Sequence, residues 1–472
     1  MMNWWMGQRP ACTIRHTDSA SSASHKGQAL VPLIFIQLNE INFDIVRRYV
    51  ARFDDLPAFK QLLDSFAAFE TFGEQRYEEL EPWIQWVSAQ TGKSYAEHGV
   101  FRLGDVVHMP EDVPQVFELL ERSGLKVGAI SPMNARNRLK APAYFVPDPW
   151  TDTPADASGF SRRLTQMLRQ TVNDNAAGRV SLRSKLTLLE ALLRSFRLPQ
   201  TPRLLRFIWQ TRLRPWTKSL VLDQLIHLVH LCLWRRERPD VSYVFLNAGA
   251  HVQHHYFLNA IGCATAGIRN PEWYVPGDAD PVHDMLRAYD GMLNDYLMLA
   301  RTSGVRLVVA TGLSQEPYDR VKYYYRLGDH ASFLKALELD FMRVQPRMTR
   351  DFEIEFSDAA QASAAAQVLG DIRLERTGKI VFGDVDVRGH DLFVTLTYPD
   401  EILLTDVALT GAGRRLAEFG RAVHFVAIKN GMHSTRGFAF VSPAARLDLP
   451  GEAVSVTHLF DLTLQLAGVK AA

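Results

Sequence analysis

The sequence predicts an α/β fold in which helices alternate with the strands of a largely parallel, doubly wound sheet. Four short, continuous apolar runs are typical of strands that are buried on both faces. They lie at residues 30–38, 125–130, 241–246 and 305–310. A helical pattern at residues 282–300 separates the last two runs. With 472 residues, of which 47% are hydrophobic, the chain can also bury a large core.

Local patterns predict further elements of the same fold. Residues 45–65 have a helical pattern, and residues 114–123 predict an amphipathic helix that Gly124 ends. Residues 423–428 are predicted to return to the parent sheet. Because ligand sites of such sheets lie where strands end in loops, the residues after each strand are the first candidates for function.

Two stretches interrupt the alternation of strands and helices. Residues 161–238 are helical and strongly basic, which fits a solvated insertion, a cover over an anionic substrate, or a surface that meets a membrane or polymer. Residues 350–402 predict a small α+β insertion, with a strand at 379–382 among others. The predicted order is a mobile leader (1–29), the first part of the core (30–160), the basic helical insertion (161–238), the second part of the core (239–349), the small insertion (350–402) and the end of the core (403–472).

Composition excludes several classes of protein. Lys and Arg number 53 against 52 Asp and Glu, and this balance argues against a nucleic-acid-binding protein. Three cysteines are too few for a disulfide framework or a cysteine-ligated zinc site. No apolar run reaches the length of a transmembrane helix, and residues 1–28 lack the apolar core of a signal peptide. We therefore expect a cytoplasmic protein.

Four loops of the predicted fold carry unusual polar residues. Asn39 and Glu40 follow the first apolar run, and a histidine-rich segment at residues 251–255 follows the third. Residues 81–100 begin Glu-Pro-Trp-Ile-Gln-Trp, and residues 429–437 contain Gly-Met-His. Chemistry in this fold is expected from these four loops.

In order and spacing, these loops resemble those of the alkaline phosphatase superfamily, its sulfatase and type I phosphodiesterase branches in particular. Ser88-Ala-Gln-Thr-Gly92 followed by Glu97-His-Gly-Val100 looks like the segment behind the family's nucleophile. His251-Val-Gln-His-His255 looks like its metal-ligand pair, and Gly431-Met-His433 looks like its late histidine segment. The resemblance implies an alkaline-phosphatase-like sheet and a hydrolase or transferase of phosphoryl or sulfuryl groups.

The sequence departs from the family pattern at three places. Asn39 stands at the position of a family aspartate, with Glu40 beside it. Pro82 stands at the position of the nucleophile, so no hydroxyl or thiol is present there. The family's Asp-His pair is replaced by Thr-Gly-Leu-Ser-Gln at residues 311–315. A two-metal displacement on a Ser or Thr nucleophile therefore cannot run here as it does in the family.

The resemblance implies that His251, His255 and His433 are metal ligands. His251 and His255 share one face of a helix at positions i and i+4, and His433 would complete a set of three imidazoles. Such a set suits zinc and leaves a fourth position open. We expect one divalent metal, with zinc as the expected ion, while a metal-free vestigial pocket stays an alternative. His254 is expected in an outer position or on the surface.

Glu40 and Glu81 are the predicted catalytic carboxylates, because the resemblance brings their loops together across the pocket. One could ligate the metal and the other act as a base or nucleophile, or both could serve only in caps or salt bridges. The two tryptophans of the loop could stack on a sugar or base, or could be core residues. The residues expected to contact substrate are Asn39, Trp83, Trp86 and Arg436.

We therefore expect a hydrolase that cleaves an anionic phospho- or sulfo-ester, with or without a sugar, by means of one metal and a glutamate base. Two alternatives stay open: a glycoside hydrolase that uses Glu40 and Glu81, and a non-catalytic binding protein on the same scaffold. The expected partner is an anionic or carbohydrate substrate, either a small molecule or a polymer. Nucleic acid is not expected, and assembly into a homo-oligomer stays open.

Overall fold

The computed structural model describes most of the chain. The described residues are 31–173, 181–195, 198–263, 267–347, 350–443 and 450–470. The leader predicted at residues 1–29 lies outside them, as do Arg179 and Arg197 of the basic stretch. Among the helices of the described residues, none is both long and apolar enough to cross a membrane.

An eight-stranded sheet forms the centre of the fold and confirms the predicted α/β class. In spatial order its strands are β17 (Val454–Ser455), β2 (Ala67–Phe72), β16 (Arg436–Val441), β6 (Arg306–Ala310), β1 (Leu33–Leu38), β5 (Val241–Leu246), β3 (Val127–Ile130) and β4 (Tyr144–Val146). Strands β1, β3, β4, β5 and β6 are parallel, whereas β16 runs antiparallel to both β2 and β6. The four apolar runs of the sequence are therefore the parallel strands at its centre.

Alternate residues of the central strands enter different hydrophobic clusters. In β1, Ile34 and Ile36 pack in one cluster, while Leu33 and Phe35 pack in another. Because successive side chains of a strand point to opposite faces, the sheet carries one core on each face. Helices cover both faces, which explains why these strands are apolar throughout rather than alternating.

The helices cover the sheet and extend beyond it. In the described residues they are α1 (Phe43–Arg52), α2 (Pro57–Ser65), α3 (Pro82–Thr91), α4 (Tyr95–His98), α5 (Val116–Arg122), α6 (Gly159–Asn173), α7 (Leu182–Ser195), α8 (Thr201–Gln210), α9 (Lys218–Glu237), α10 (Ala248–Tyr256), α11 (Pro281–Ser303), α12 (His330–Ala336), α13 (Ala359–Gly370), α14 (Phe419–Ala422) and α15 (His458–Leu466). The single helix predicted at residues 45–65 is two helices, since Pro57 begins the second. The basic stretch is helical as predicted and contains α6 to α9.

The remaining strands lie between β6 and β16. They are β7 (Ser314–Leu327), β8 (Arg343–Pro346), β9 (Asp351–Glu355), β10 (Arg373–Leu374), β11 (Asp384–Arg388), β12 (Asp391–Thr395), β13 (Ala408–Leu409), β14 (Arg415–Leu416) and β15 (Val423–Ser434). Strands β8, β9, β11 and β12 form one sheet, β10, β13 and β14 form another, and β7 pairs with β15. A separate hydrophobic cluster joins residues 325 to 423.

Two strand predictions in this region are wrong. Residues 423–428 do not return to the parent sheet, because β15 pairs antiparallel with β7. Phe425 packs against Tyr274 and Tyr325, so this apolar run forms part of an aromatic cluster. The parent sheet resumes at β16 instead. Residues 379–382 form only an isolated bridge at Ile380. The apolar pattern there reflects side chains such as Phe382 that are buried without forming a strand.

The start of α10 is held by a buried carboxylate from α9. Asp223 accepts hydrogen bonds from the backbone N–H groups of Asn247 (3.2 Å) and Ala248 (2.8 Å) and from the hydroxyl of Tyr289 (2.6 Å). The negative charge of the Asp223 carboxylate complements the positive end of the helix. Burial outweighs them and raises the pKa of Asp223 to about 6.

The raised pKa of Asp223 predicts that the free energy of unfolding depends on pH. Its folded-state pKa of about 6 lies above the ordinary value of 3.8, so its contribution to stability is present at low pH and is lost as the pH rises through about 6. The loss amounts to about 3 kcal/mol of the free energy of unfolding. Urea denaturation of the parent and of Asp223→Asn between pH 4 and pH 7 measures it. Equal pH slopes in the two proteins would contradict the prediction.

Candidate metal centre

The candidate site is a cavity of about 640 Å³ at the carboxyl ends of β1 and β5. Asn39 and Glu40 directly follow β1, while α10 follows β5 and packs against β15. This is the edge at which ligands bind in sheets of this class. The ionisable side chains that line the cavity include Glu40, Glu81, His254, Arg350, Lys429 and His433.

Glu40 is held from several sides in an unusual backbone conformation. Its φ is +60°, a left-handed value that side-chain-bearing residues rarely adopt. Its N–H donates to Thr311 O (3.1 Å), and its carbonyl accepts from Gln253 Nε2 (2.7 Å). Its buried carboxylate accepts from Asn39 Nδ2 (2.9 Å) and Gln315 Nε2 (2.5 Å). Strain that the surroundings enforce in this way is typical of functional sites.

The carboxylate of Glu40 meets two imidazoles. Its Oε2 lies 3.0 Å from His254 Nε2 and 3.2 Å from His433 Nε2, and the two nitrogens are 3.3 Å apart. Among the described residues, these three make up the group whose ligand atoms come close enough to share a metal ion. One carboxylate and two imidazoles form a donor set that occurs in catalytic zinc sites.

Hydrogen bonds orient the two histidines towards Glu40. His254 Nδ1 lies 3.1 Å from the backbone oxygen of Gly431. Because a carbonyl can only accept, Nδ1 carries the proton and Nε2 turns its lone pair to the cluster. Gly431 must be glycine, because a Cβ there would collide with Gln315 Oε1. His433 Nδ1 faces Glu81 Oε2 at 3.5 Å.

The charges of the three residues are coupled. Burial raises the pKa of Glu40, but the charge of His433 opposes burial, and the pKa lies well below the ordinary value. Burial and Lys429 lower the pKa of His254 to about 4, so this imidazole is neutral near pH 7. Burial lowers the pKa of His433, but Glu40 outweighs it and the net change is upwards. The cluster thus presents a carboxylate beside a neutral imidazole, as metal ligation requires.

The predicted set of His251, His255 and His433 is not the one that the structure brings together. His251 and His255 do share a face of α10, with ring centroids 4.7 Å apart, and His251 lines the cavity, but neither belongs to the group formed by Glu40, His254 and His433. His255 Nδ1 instead lies 3.1 Å from a carbonyl of β15, and His251 is exposed. His254 takes the position in the cluster, because one residue step turns the side chain by about 100° around the helix.

The two predicted catalytic carboxylates contact the same imidazole from opposite sides. Glu40 lies at Nε2 of His433 and Glu81 lies at Nδ1. The side chain of Glu81 is 31% exposed and makes no capping hydrogen bond to α3. Burial raises the pKa of Glu81, and the negative charge of Glu40 adds to the rise. Glu81 is therefore available to the cavity as a proton acceptor.

Trp86 and Asn39 form a chain of hydrogen bonds that leads to Glu40. Trp86 is fully buried, and its Nε1 donates to Asn39 Oδ1 at 2.7 Å. Asn39 Nδ2 donates to both Glu40 and Asn247, so no donor of its amide is left. The expectation of substrate contact is therefore corrected for Trp86, whereas Asn39 lines the cavity and its predicted role stays a prediction. Trp83 does line the cavity, so its predicted role stays a prediction.

Arg436 does not reach the cavity either. Its guanidinium pairs with Glu70, at 2.7 Å between Nε and Oε2, and with Asp44. Two carboxylates thus neutralise its charge, and the ring of Phe438 lies beneath it. The expectation that Arg436 binds an anionic substrate is corrected for this reason.

Two cations of the cavity were missed by sequence reasoning. Lys429 and Arg350 line it, and no carboxylate of the described residues forms an ion pair with either. Burial lowers the pKa of Lys429 to about 8. Lys429 opens the loop that resembles the late histidine segment, so its position was a usable signal. Arg350 begins the predicted small insertion, where no local pattern points to the site.

The motif behind the family's nucleophile has a structural role here. Ser88 Oγ lies 3.1 Å from His98 Nε2, and both side chains are buried. His98 Nδ1 accepts from the backbone N–H of Val100 at 3.0 Å. His98 therefore carries its proton on Nε2 and donates to Ser88, so it cannot take a proton from that hydroxyl. The motif braces α3 behind the cavity.

Changing Asn39 to aspartate tests the clamp around Glu40. Asn39→Asp replaces two amide donors by acceptors that face Glu40 and Asn247. We expect the free energy of unfolding to fall by about 1–3 kcal/mol, the cost of leaving buried polar groups unpaired. Chemical denaturation at neutral pH in a chelator measures the change. Unaltered stability would show that Asn39 does not hold the carboxylate.

Comparison with known proteins finds likenesses of structure. No protein-family model and no curated protein matches the chain. It is similar to phosphonoacetate hydrolase from Sinorhizobium meliloti 1021, with 13% identity and a TM-score of 0.43, over 93% of this chain and 96% of that one. It is similar to murine ectonucleotide pyrophosphatase/phosphodiesterase 5, with 11% identity and a TM-score of 0.43, over 93% of this chain and 96% of that one. It is also similar to the alkaline phosphatase PafA, with 10% identity and a TM-score of 0.45, over 94% of this chain and 97% of that one.

Proposed function

We propose that this protein is a hydrolase of an anionic phospho- or sulfo-ester that uses one divalent metal held by Glu40, His254 and His433. The observation that carries the proposal is the triangle of ligand atoms, with sides of 3.0, 3.2 and 3.3 Å. A tetrahedral zinc ion with ligands at about 2.0–2.1 Å separates them by about 3.3–3.4 Å. The residues present therefore fit zinc and leave a fourth position for an oxygen.

A divalent cation at this position supplies a Lewis acid that polarises an ester oxygen or a water molecule. The protein's own residues prepare the site for it. Asn39 and Gln315 hold Glu40 as a carboxylate, and the Gly431 carbonyl fixes the tautomer of His254. Such outer contacts orient ligands and strengthen metal binding.

Glu81 is proposed as the general base. Its carboxylate lines the cavity and is not used as a helix cap. In the proposed reaction it takes a proton from the water that attacks the ester, because Pro82 leaves the usual nucleophile position without a hydroxyl. The proton moves to a Glu81 oxygen, and the water oxygen forms the new bond to phosphorus or sulfur while the bond from that atom to the ester oxygen breaks. Protonated Glu81 then returns the proton to the leaving oxygen, which departs as an alcohol.

The cations of the cavity support an anionic substrate. Lys429 and Arg350 have no ion-pair partner among the described residues, so their charges are available to the ester's oxygens. The ring of Tyr324 lies 4.0 Å from the Arg350 guanidinium and, with Trp83, forms an aromatic part of the cavity wall. Such rings suit the organic part of the ester, whether a sugar or a base.

The glycoside hydrolase alternative fits this geometry poorly. Its two carboxylates must flank a glycosidic bond, with room for the sugar or a water between them. Here the ring of His433 lies between Glu40 and Glu81. A non-catalytic binding protein is separated from a hydrolase by the measurements below.

Adjacent histidines provide a matched test of the metal ligands. His254→Ala removes a proposed ligand, whereas His255→Ala removes an imidazole of the same helix that faces a carbonyl. We expect the zinc affinity to fall at least about a hundredfold for the first, since losing an outer contact alone costs 10- to 100-fold. The second should bind zinc like the parent. Calorimetric titration of the apo proteins measures both, and the opposite ranking would reject the proposed ligand set.

Glu81→Gln keeps the shape of the side chain and removes the base. At saturating metal we expect turnover to fall at least about a hundredfold, the lower end of general acid–base contributions. Glu78→Gln, an exposed neighbour, is the control and should leave turnover unchanged. If Glu81 only orients His433, Glu81→Gln will lower the metal affinity and keep turnover at saturating metal, which would reject its role as base.

The reaction class is tested by metal analysis together with a substrate screen. The full chain, loaded with zinc, is assayed on phosphate monoesters, phosphate diesters, sulfate esters and glycosides. Hydrolysis of a phospho- or sulfo-ester with one metal per chain is the expected result. Hydrolysis of glycosides alone, or binding of metal and esters without turnover of either class, would overturn the proposal.

A further inference from the structure

Helix α7 exposes a row of leucines to solvent and fully buries small and hydroxyl-bearing side chains. The residues that it buries against the protein are Ser184, Thr187, Ala191 and Ser195. The residues that it exposes to solvent are Leu182, Leu186, Leu189 and Leu193, between 51% and 73% exposed. At 100° per residue these four leucines fall within an arc of about 60° and form one stripe. A helix of a water-exposed surface has the opposite arrangement.

Helix α8 also exposes apolar side chains. Leu205, Ile208 and Trp209 are 52%, 37% and 59% exposed, and Leu213 just beyond the helix is 68% exposed. Both α7 and α8 pack against α9, which attaches them to the body of the protein. We call the exposed side of α7 and α8 the outer face. Exposed apolar stripes such as that of α7 mark interaction sites.

The outer face also carries cations without acidic partners. Arg183 and Lys185 flank the leucine stripe of α7 on its two sides, at about +100° and −60° from Leu182. These two, together with Arg206 and Arg212 of the α8 region, are exposed, and none forms an ion pair within the described residues. Glu190, an acid of α7, is already paired with Arg163 and Arg194. The surface therefore combines apolar side chains with unneutralised positive charge.

We infer that the outer face binds the surface of a membrane that contains anionic lipids. Leucines and a tryptophan on one face with Arg and Lys along its border are characteristic of helices that lie in the membrane–water interface. The long side chains of Arg183 and Lys185 can reach headgroups while the leucines enter the acyl boundary. The inference is independent of the proposed hydrolase activity, since it uses none of the residues of the cavity.

A second copy of the chain is a poorer occupant of this face. A two-fold contact would place the same surface on both partners and bring their unpaired cations together. Like charges at an interface are unfavourable, and the acids near these helices are already engaged. Anionic headgroups supply the missing charge without this cost.

Vesicle flotation of the full-length chain tests the inference. The probes are vesicles of phosphatidylcholine alone and of phosphatidylcholine mixed with phosphatidylserine. The parent should bind the mixed vesicles in preference, and high salt should weaken the binding. The triple variant L186Q/L189Q/L193Q should lower the partition coefficient at least about tenfold. Leu404→Gln, which changes an equally exposed leucine elsewhere, should bind like the parent.

Charge and assembly are tested in the same proteins. R183Q/K185Q/R206Q/R212Q should lower binding to the mixed vesicles by about a hundredfold or more, since each cation contributes separately. Circular dichroism melting checks that all variants are folded. Equal flotation of the parent and the triple leucine variant would overturn the inference, and so would no binding of the parent to mixed vesicles. A parent dimer that the leucine variant dissociates, seen by sedimentation velocity, would assign the face to a second copy and also overturn it.

Discussion

The carboxylate of Glu40 is buried at the end of the central strand, and the other polar groups of the site are arranged around it. A buried charge is costly unless it is hydrogen-bonded or paired. The amides of Asn39 and Gln315 and the imidazole of His433 meet this requirement, and the imidazole of His254 lies against the same carboxylate. They come from the end of β1, from β7, from α10 and from β15. The site therefore depends on the sheet and the β7–β15 ribbon bringing these four segments to one point.

Local sequence patterns predict the parallel strands because burial on both faces leaves a signature in the residues themselves. Residues 241–246 are apolar throughout and form β5 over the same range. An apolar run does not determine which strand it pairs with, however. Residues 423–428 have the same signature but pack in an aromatic cluster and pair with β7, and this pairing depends on residues about a hundred positions away.

The sequence predicts those residues of the site that belong to recognisable motifs. Glu40 was predicted because it follows an apolar run, and His433 because its Gly-Met-His segment resembles a family motif; both line the cavity. His254 was missed because an i, i+4 pattern favours His251 and His255, while the face of α10 that meets Glu40 is set by its packing on β15. Trp86 was misassigned because an aromatic residue in a loop motif looks the same in sequence whether its ring is buried or open. These distinctions are tertiary, and no local pattern contains them.

The amides of the site determine how much charge it can hold. Asn39 stands where the family pattern has an aspartate, and Gln315 lies in the segment that replaces an Asp-His pair. An amide donates to Glu40, whereas a carboxylate at either place would repel it, so the cluster is stable with a single negative charge. With Glu40 as its one carboxylate, the group of Glu40, His254 and His433 would carry a net positive charge after binding one divalent cation. Lys429 and Arg350 increase this positive potential, which an anionic ester would neutralise on binding.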